Sequence, residues 1–216
     1  MNEDVRATER TVEISSGAVQ LPAILGLPEQ ARGVILFAHG SGSGRLSPRN
    51  NAVAHVLQDA GLATLLADLL TEREARDRRL VFDIGLLARR LRDCTHWVHH
   101  QEATQSLPIG YFGASTGGGA ALVGAAQAGK GVRAVVSRGG RPDLADGYLD
   151  QVQAPTLLIV GGNDEPVIEL NEHALARLRC VKKLVIVPGA THLFEEPGAL
   201  EEVARLARDW FLGYLA

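Results

Sequence analysis

The segment Gly113-Ala114-Ser115-Thr116-Gly117 sets a serine between two glycines in a G-x-S-x-G pattern, after the apolar run Leu107–Phe112 and before small residues opening at Gly118 and Gly119. A serine on a tight strand-to-helix turn is held in a strained backbone that only small neighbours permit, and this pushes Oγ out at the carboxyl edge of a sheet. The N–H groups and positive dipole end of the following helix would then face a carbonyl oxygen as it becomes an oxyanion. The chemistry implied is nucleophilic attack on an acyl carbon. The plain alternative is a Gly-rich turn that only caps a helix.

A free serine hydroxyl is a poor nucleophile and needs a base within hydrogen-bond reach, itself oriented by a carboxylate. Two later loops leaving apolar runs supply candidates. Asp164 follows Thr156–Val160 in the loop Gly161-Gly162-Asn163-Asp164-Glu165, and His192 follows Leu184–Val187 in Pro188-Gly189-Ala190-Thr191-His192. Taken alone, Asp164 is equally an N-cap or solvated turn and His192 an ordinary loop histidine. The chain order Ser115, Asp164, His192, each at the carboxyl end of a separate expected strand, is nonetheless an order in which a mostly parallel sheet can assemble a nucleophile, its orienting acid and its base. A further Gly-rich loop, His39-Gly40-Ser41-Gly42-Ser43-Gly44-Arg45, follows Gly33–Ala38. The backbone N–H groups of Ser41 and Thr116 are the candidate oxyanion hole. A phosphate-cradling role fits less well, because neither G-x-x-x-x-G-K nor G-x-G-x-x-G occurs there.

The elements that must position these residues are legible as an alternation. Apolar, β-branched runs at Thr11–Ser15, Val19–Leu27, Gly33–Ala38, Ala63–Asp68, Ile109–Gly113, Ala134–Ser137, Thr156–Val160 and Leu184–Val187 predict strands. Helical spacing predicts helices at Pro48–Ala60, Leu80–His100, Thr116–Ala128, Ile168–Arg179 and Glu196–Tyr214. Ser16-Gly17 predicts a hairpin between the first two strands. The expected class is α/β, with an antiparallel start, a mostly parallel sheet of about eight strands and helices on both faces. The 216 residues suit one domain without a linker, since single cores run to about 250 residues. The gap between Ser137 and Pro155 leaves room for at most one short helix, so no large lid is expected, and small or exposed esters are the expected substrates.

With these residues in place the chain resembles the α/β-hydrolase superfamily, and most of all its dienelactone hydrolase-like branch. The resemblance covers nearly the whole length and rests on HGSGSGR at His39–Arg45, GASTGG at Gly113–Gly118, SRGGRPDLA at Ser137–Ala145, APTLLIVGGNDEPV at Ala154–Val167 and PGATHLFEEPG at Pro188–Gly198. It implies acyl transfer to water through a covalent acyl-enzyme, with no cofactor and no metal. Dienelactone hydrolases use a cysteine at the elbow where this chain has Ser115; serine relatives of the branch resemble general carboxylesterases. Some similar domains occur joined to a phosphoribosyltransferase-like domain, of which nothing is read in these residues. The same triad would serve a thioesterase, peptidase or acyltransferase, and the scaffold alone could bind a ligand without turnover.

Other residues bound the function more loosely. Lys+Arg number 22 against 25 Asp+Glu, a net charge of -3, and 46% of residues are hydrophobic. That balance describes a globular chain and leaves nothing to draw a phosphate backbone, so nucleic acid is not an expected partner. The polar segment Met1–Glu13 lacks the apolar core of a signal peptide, no run reaches the length of a membrane span, and a cytoplasmic protein with no membrane partner is expected. Cys94 and Cys180 are read as reduced thiols. Arg138 is a candidate contact for an acidic substrate group, against a structural salt bridge. Arg45 and Arg49 are expected to anchor their loop or lie on the surface. His96, His99 and His100, at metal-compatible helical spacing, are expected to lie on a solvated helix end. The stretch Arg73–Arg79, interleaved with acids, is expected to be solvated. The oligomeric state is not legible.

Overall fold

The computed structural model describes residues 7–215 of the chain. The charged Met1–Arg6, on which part of the leader-segment expectation falls, lie outside the described residues. Eight strands form one sheet in the order β1-β2-β4-β3-β5-β6-β7-β8. They are β1 Thr8–Ser16, β2 Val19–Leu27, β3 Val34–Ala38, β4 Ala63–Ala67, β5 Ile109–Ala114, β6 Ala134–Arg138, β7 Thr156–Gly161 and β8 Lys182–Val187. β2 is antiparallel to β1 and β4, and every other pairing is parallel. The expected antiparallel start and parallel remainder are present, with Gly17 at φ 59 in the turn joining β1 and β2.

Strands β3 to β7 are buried at every position, as expected for parallel strands covered on both faces. Their side chains alternate between two cores. Val34, Leu36, Tyr111, Val135 and Leu158 face Leu87, Leu91, Ala121 and Ala125, from α3 (Ile84–His99) and α4 (Thr116–Ala128). Ile35, Phe37, Phe112, Val136 and Ile159 face Val53, Leu57, Val203 and Phe211, from α1 (Pro48–Asp59) and α6 (Ala199–Leu215). The remaining helices are the single turn α2, Arg78–Val81, and α5, Glu165–Arg177.

Two helix starts depart from the sequence expectation for a local reason. The helix expected over Leu80–His100 is broken at Phe82 and Asp83, because the Asp83 carboxylate accepts the Leu86 N–H at 2.8 Å and starts α3 as its N-cap. α5 begins at Glu165, with Pro166 in its first turn. Residues 142–151 form a ten-residue 3-10 segment, Pro142–Gln151, laid over α4, which is the short element allowed for that gap.

Candidate active site

Ser115 sits between the end of β5 and the first residue of α4, with φ 51 and ψ -121. A non-glycine residue in that region stores roughly 1–3 kcal/mol of strain. The neighbouring glycines make the turn possible: a Cβ on Gly117 would collide with the Ala38 carbonyl, and one on Gly113 with the Gly117 carbonyl. The turn is fixed by the Ser115 N–H donating to the Arg138 carbonyl at 3.2 Å and the Arg141 N–H donating to the Ser115 carbonyl at 3.0 Å.

Asp164 stands at the N-terminal boundary of α5, yet its side chain makes no capping bond there. It accepts instead from His192 Nδ1 at 2.6 Å, and Nε2 of the same ring lies 3.4 Å from Ser115 Oγ. The carboxylate is 13% exposed and the imidazole 36%, so the acid is enclosed and the base open on one side. The bond to Asp164 leaves the Nε2 lone pair directed at the serine, and the long Ser–His separation is of the kind that tightens when a substrate is bound. Ser115, Asp164 and His192 therefore meet as the sequence predicts, from three loops far apart in the chain.

Ser41 and Thr116 line one cavity of about 250 Å³, together with His39 and the apolar Leu70, Ala75, Val81 and Leu87. Among the described residues, neither the Ser41 nor the Thr116 N–H donates to a backbone carbonyl in the turns and loops, which leaves both free for an oxygen in the cavity. A second, more polar groove of about 690 Å³ shares Ser41, Gly42 and Ser43 and extends over Arg45, Arg49, Asp68 and Glu72.

The loop carrying Ser41 is held by two residues that the sequence did not single out for this role. His39 is buried; its Nε2 accepts the Leu69 N–H at 2.8 Å and its Nδ1 faces the Gly40 carbonyl at 3.1 Å. This network assigns a neutral ring with the proton on Nδ1, and burial holds its pKa below the usual histidine range. Asp68 accepts the Arg45 N–H at 2.6 Å and pairs with its guanidinium. Both stand just past the carboxyl ends of strands β3 and β4, the one sequence signal that could have found them.

Other expectations need correction. Arg138 is 8% exposed, pointing not into an open mouth but beneath Phe194, with its guanidinium carbon 5.9 Å from that ring. It has no acidic partner among the described residues either. The stretch Arg73–Arg79 is not wholly solvated, because Glu74 forms a two-pronged ion pair with the buried Arg90 at 2.7 and 2.8 Å. Arg45 anchors its loop as expected, and Arg49 pairs with Glu195 at 2.8 Å. At the end of α3 the His96 and His100 rings stack at 4.3 Å, and the Nδ1 atoms of His100 and His99 face backbone carbonyls. Cys94 is buried and Cys180 half-buried, both as free thiols, and burial pushes the Cys94 pKa up to about 12. No helix among the described residues is long and apolar enough to cross a membrane.

Comparison with known proteins agrees with this architecture. The model of the dienelactone hydrolase family matches residues 21–211. The chain belongs to the dienelactone hydrolase family. A crystal structure of dienelactone hydrolase from Anabaena variabilis is 60% identical, with a TM-score of 0.95 over 98% of this chain and 100% of that one. Est1E from Butyrivibrio proteoclasticus shares the fold, at 18% identity and TM-score 0.81 over 94% of this chain and 98% of its own. Two Mycobacterium tuberculosis proteins, named provisionally as phosphoribosyl transferases, are 59% identical over 207 residues, or 96% of this chain and 47% of theirs. The chain thus spans about half the length of these curated relatives.

Proposed function

We propose that the protein is a serine hydrolase of small carboxylic esters, with Ser115 as nucleophile, His192 as general base and acid, and Asp164 as orienter. The observation that carries this is the contact chain from Asp164 Oδ2 through His192 to Ser115 Oγ, ending on a strained residue at a helix N-terminus. Ser115 Oγ attacks the acyl carbon as His192 Nε2 takes its proton, and the carbonyl oxygen gains charge against the N–H groups of Ser41 and Thr116. His192 returns the proton to the departing alkoxide, leaving an acyl-serine. Water then attacks this ester, giving its proton to His192, and Ser115 leaves with that proton as the acid product is released. Asp164 keeps the Nδ1–H tautomer throughout and stabilises the imidazolium.

A small acyl group is supported by the size of the apolar cavity: about 250 Å³ is the space of roughly eight water molecules in the liquid. The partner proposed is a small-molecule ester, with no nucleic acid or membrane, and no cofactor or metal enters any step. A cytoplasmic setting belongs to the same proposal and is supported by Cys94 and Cys180 being free thiols. Thioester, peptide or acyl-acceptor chemistry would use the same three residues. Phosphoribosyl transfer is not carried over from the mycobacterial relatives, since residues 21–211 are those matched by the hydrolase family. The test is labelling with a fluorophosphonate followed by short-chain and long-chain p-nitrophenyl esters. One adduct per chain and short-chain turnover, both lost in Ser115→Ala, are expected. A folded protein that does not label would instead be a binding scaffold.

A further inference from the structure

The loop carrying Ser41 stands on two residues at the end of β4. The Leu69 N–H donates to His39 Nε2 at 2.8 Å, where the loop begins, and the Asp68 carboxylate accepts the Arg45 N–H at 2.6 Å, where it ends. Gly44 fits there because it lacks a Cβ, which would collide with Asp68 Oδ1. The loop in turn rests on the nucleophile turn: a Cβ on Gly40 would lie 3.0 Å from both the Ala114 carbonyl oxygen and Ser115 Cβ. Ser41 follows directly, so the distance from its N–H to Ser115 is set by where residues 68 and 69 stand.

Those two residues are held from outside the loop. The Asp68 N–H donates to the Pro22 carbonyl of β2 at 3.0 Å. The Leu69 carbonyl accepts no backbone N–H in the turns and loops; its partner is Arg90 Nη1, on α3, at 2.8 Å. The two-pronged contact with Glu74 neutralises Arg90 and fixes the plane of its guanidinium. A buried ion pair adds little stability that apolar side chains of the same volume would not supply. What an apolar side chain lacks is a directed donor for the Leu69 carbonyl. Arg90 lines neither cavity, yet contacts run from it through Leu69 to His39, all three buried, and from His39 along the chain to Ser41.

We propose that Arg90 is a positioning residue for the oxyanion hole, acting through Leu69 and His39 on the Ser41 N–H. The inference rests on the ester-hydrolase proposal for its kinetic consequence, but not for the placement of the loop. A displaced oxyanion donor weakens the transition state and leaves ground-state binding nearly alone, so the loss falls on kcat.

Comparing Arg90→Met/Glu74→Gln with Glu74→Gln tests it, because the double variant removes the stranded charge and, with it, the donor to Leu69. Glu74→Gln should keep kcat for p-nitrophenyl acetate within about 2-fold of wild type. The double variant should be the more stable of the two and yet have a kcat about 10-fold to 100-fold lower, the range for a donor displaced but not deleted. A side chain that only supports the fold would give the opposite order, with activity returning as stability does. Fluorophosphonate should still label Ser115 to completion, at a rate reduced in the same proportion, since the phosphonyl oxygen takes the place of the oxyanion. Amide hydrogen exchange gives a readout that needs no turnover. The N–H groups of Ser43 and Arg45, bonded to the Gly40 carbonyl and Asp68, should exchange about 10-fold faster in the double variant than in Glu74→Gln, with β5 and β6 unchanged. Faster exchange in a protein that fails to label would keep the positioning role and discard only the hydrolase. If the double variant does not fold, Arg90→Lys, which keeps a charge for Glu74 without the planar fork, takes its place with a kcat loss of about 3-fold to 10-fold. A folded double variant with kcat within about 2-fold of Glu74→Gln overturns the assignment. So does a slowed one in which Ser43 and Arg45 exchange as in wild type.

Discussion

Glu74→Gln is the perturbation whose size the structure specifies best. The Glu74 carboxylate accepts from Arg90 Nη1 and Nη2 at 2.7 and 2.8 Å and from the Thr71 N–H and hydroxyl at 2.9 Å each. Arg90 also donates to the Leu69 carbonyl at 2.8 Å, so the pair ties residues 69–75 to α3. The hydrogen bonds from Arg90 are the main cause of a Glu74 pKa of about 2, against an ordinary 4.5. That difference favours the ionised form by about 3 kcal/mol, which solvent at its 21% exposed side chain trims to about 2 kcal/mol. The substitution also strands the 6% exposed Arg90, so the total loss of stability should be about 2–4 kcal/mol. For a domain of this size the thermal midpoint should fall by roughly 5–10 °C. Because Leu70 and Ala75 line both cavities, KM for short esters should rise with it. Arg90→Met/Glu74→Gln should recover much of the loss, since it removes the stranded charge. The folded pKa is depressed, so the pair's contribution is complete above about pH 4.5 and disappears as pH falls towards 2; wild type and Glu74→Gln should converge there. A midpoint at pH 7 within 1 °C of wild type, measured by calorimetry, would refute the reasoning and make this a solvated surface pair.

Two further outcomes follow from the site. Asp164→Asn keeps the shape of the group 2.6 Å from His192 Nδ1 but lets the wrong tautomer form, and kcat should fall by about 10³-fold to 10⁴-fold with KM nearly unchanged, as steady-state ester hydrolysis would show. His39 is held neutral by burial, so the unfolded chain takes up its proton more readily; its stabilising contribution is complete above pH 6.5 and declines as pH falls below that value. The thermal midpoint of His39→Gln should therefore lose less than that of wild type between pH 7.5 and 5.5, and equal losses would count against a buried neutral ring.

The sequence by itself determined the sheet, its class and the three convergent side chains. Strand runs such as Leu157–Val160 are apolar at every position because both faces are covered, and that pattern is local. The glycines around Ser115 are likewise a local requirement of the turn, and chain order together with strand ends located Asp164 and His192. Helix ends were less legible: the break at Asp83 depends on one side chain choosing the Leu86 N–H, a competition that periodicity does not register.

What only the tertiary structure decided are pairings between residues distant in sequence. Nothing in the acid-rich, base-rich stretch at residues 72–79 distinguishes Glu74 from its neighbours until Arg90, sixteen residues away, is brought against it. His39 reads as the start of a loop motif until the Leu69 N–H arrives from the end of β4. Arg138 is the sharpest case. Its place at a strand end suggests an open contact, but strand alternation turns it to the α1 and α6 face with Val136, under Phe194. Burial, and hence the energy of a charge, is a property of everything packed around a residue, and a one-dimensional pattern carries only the residue's own contribution to it.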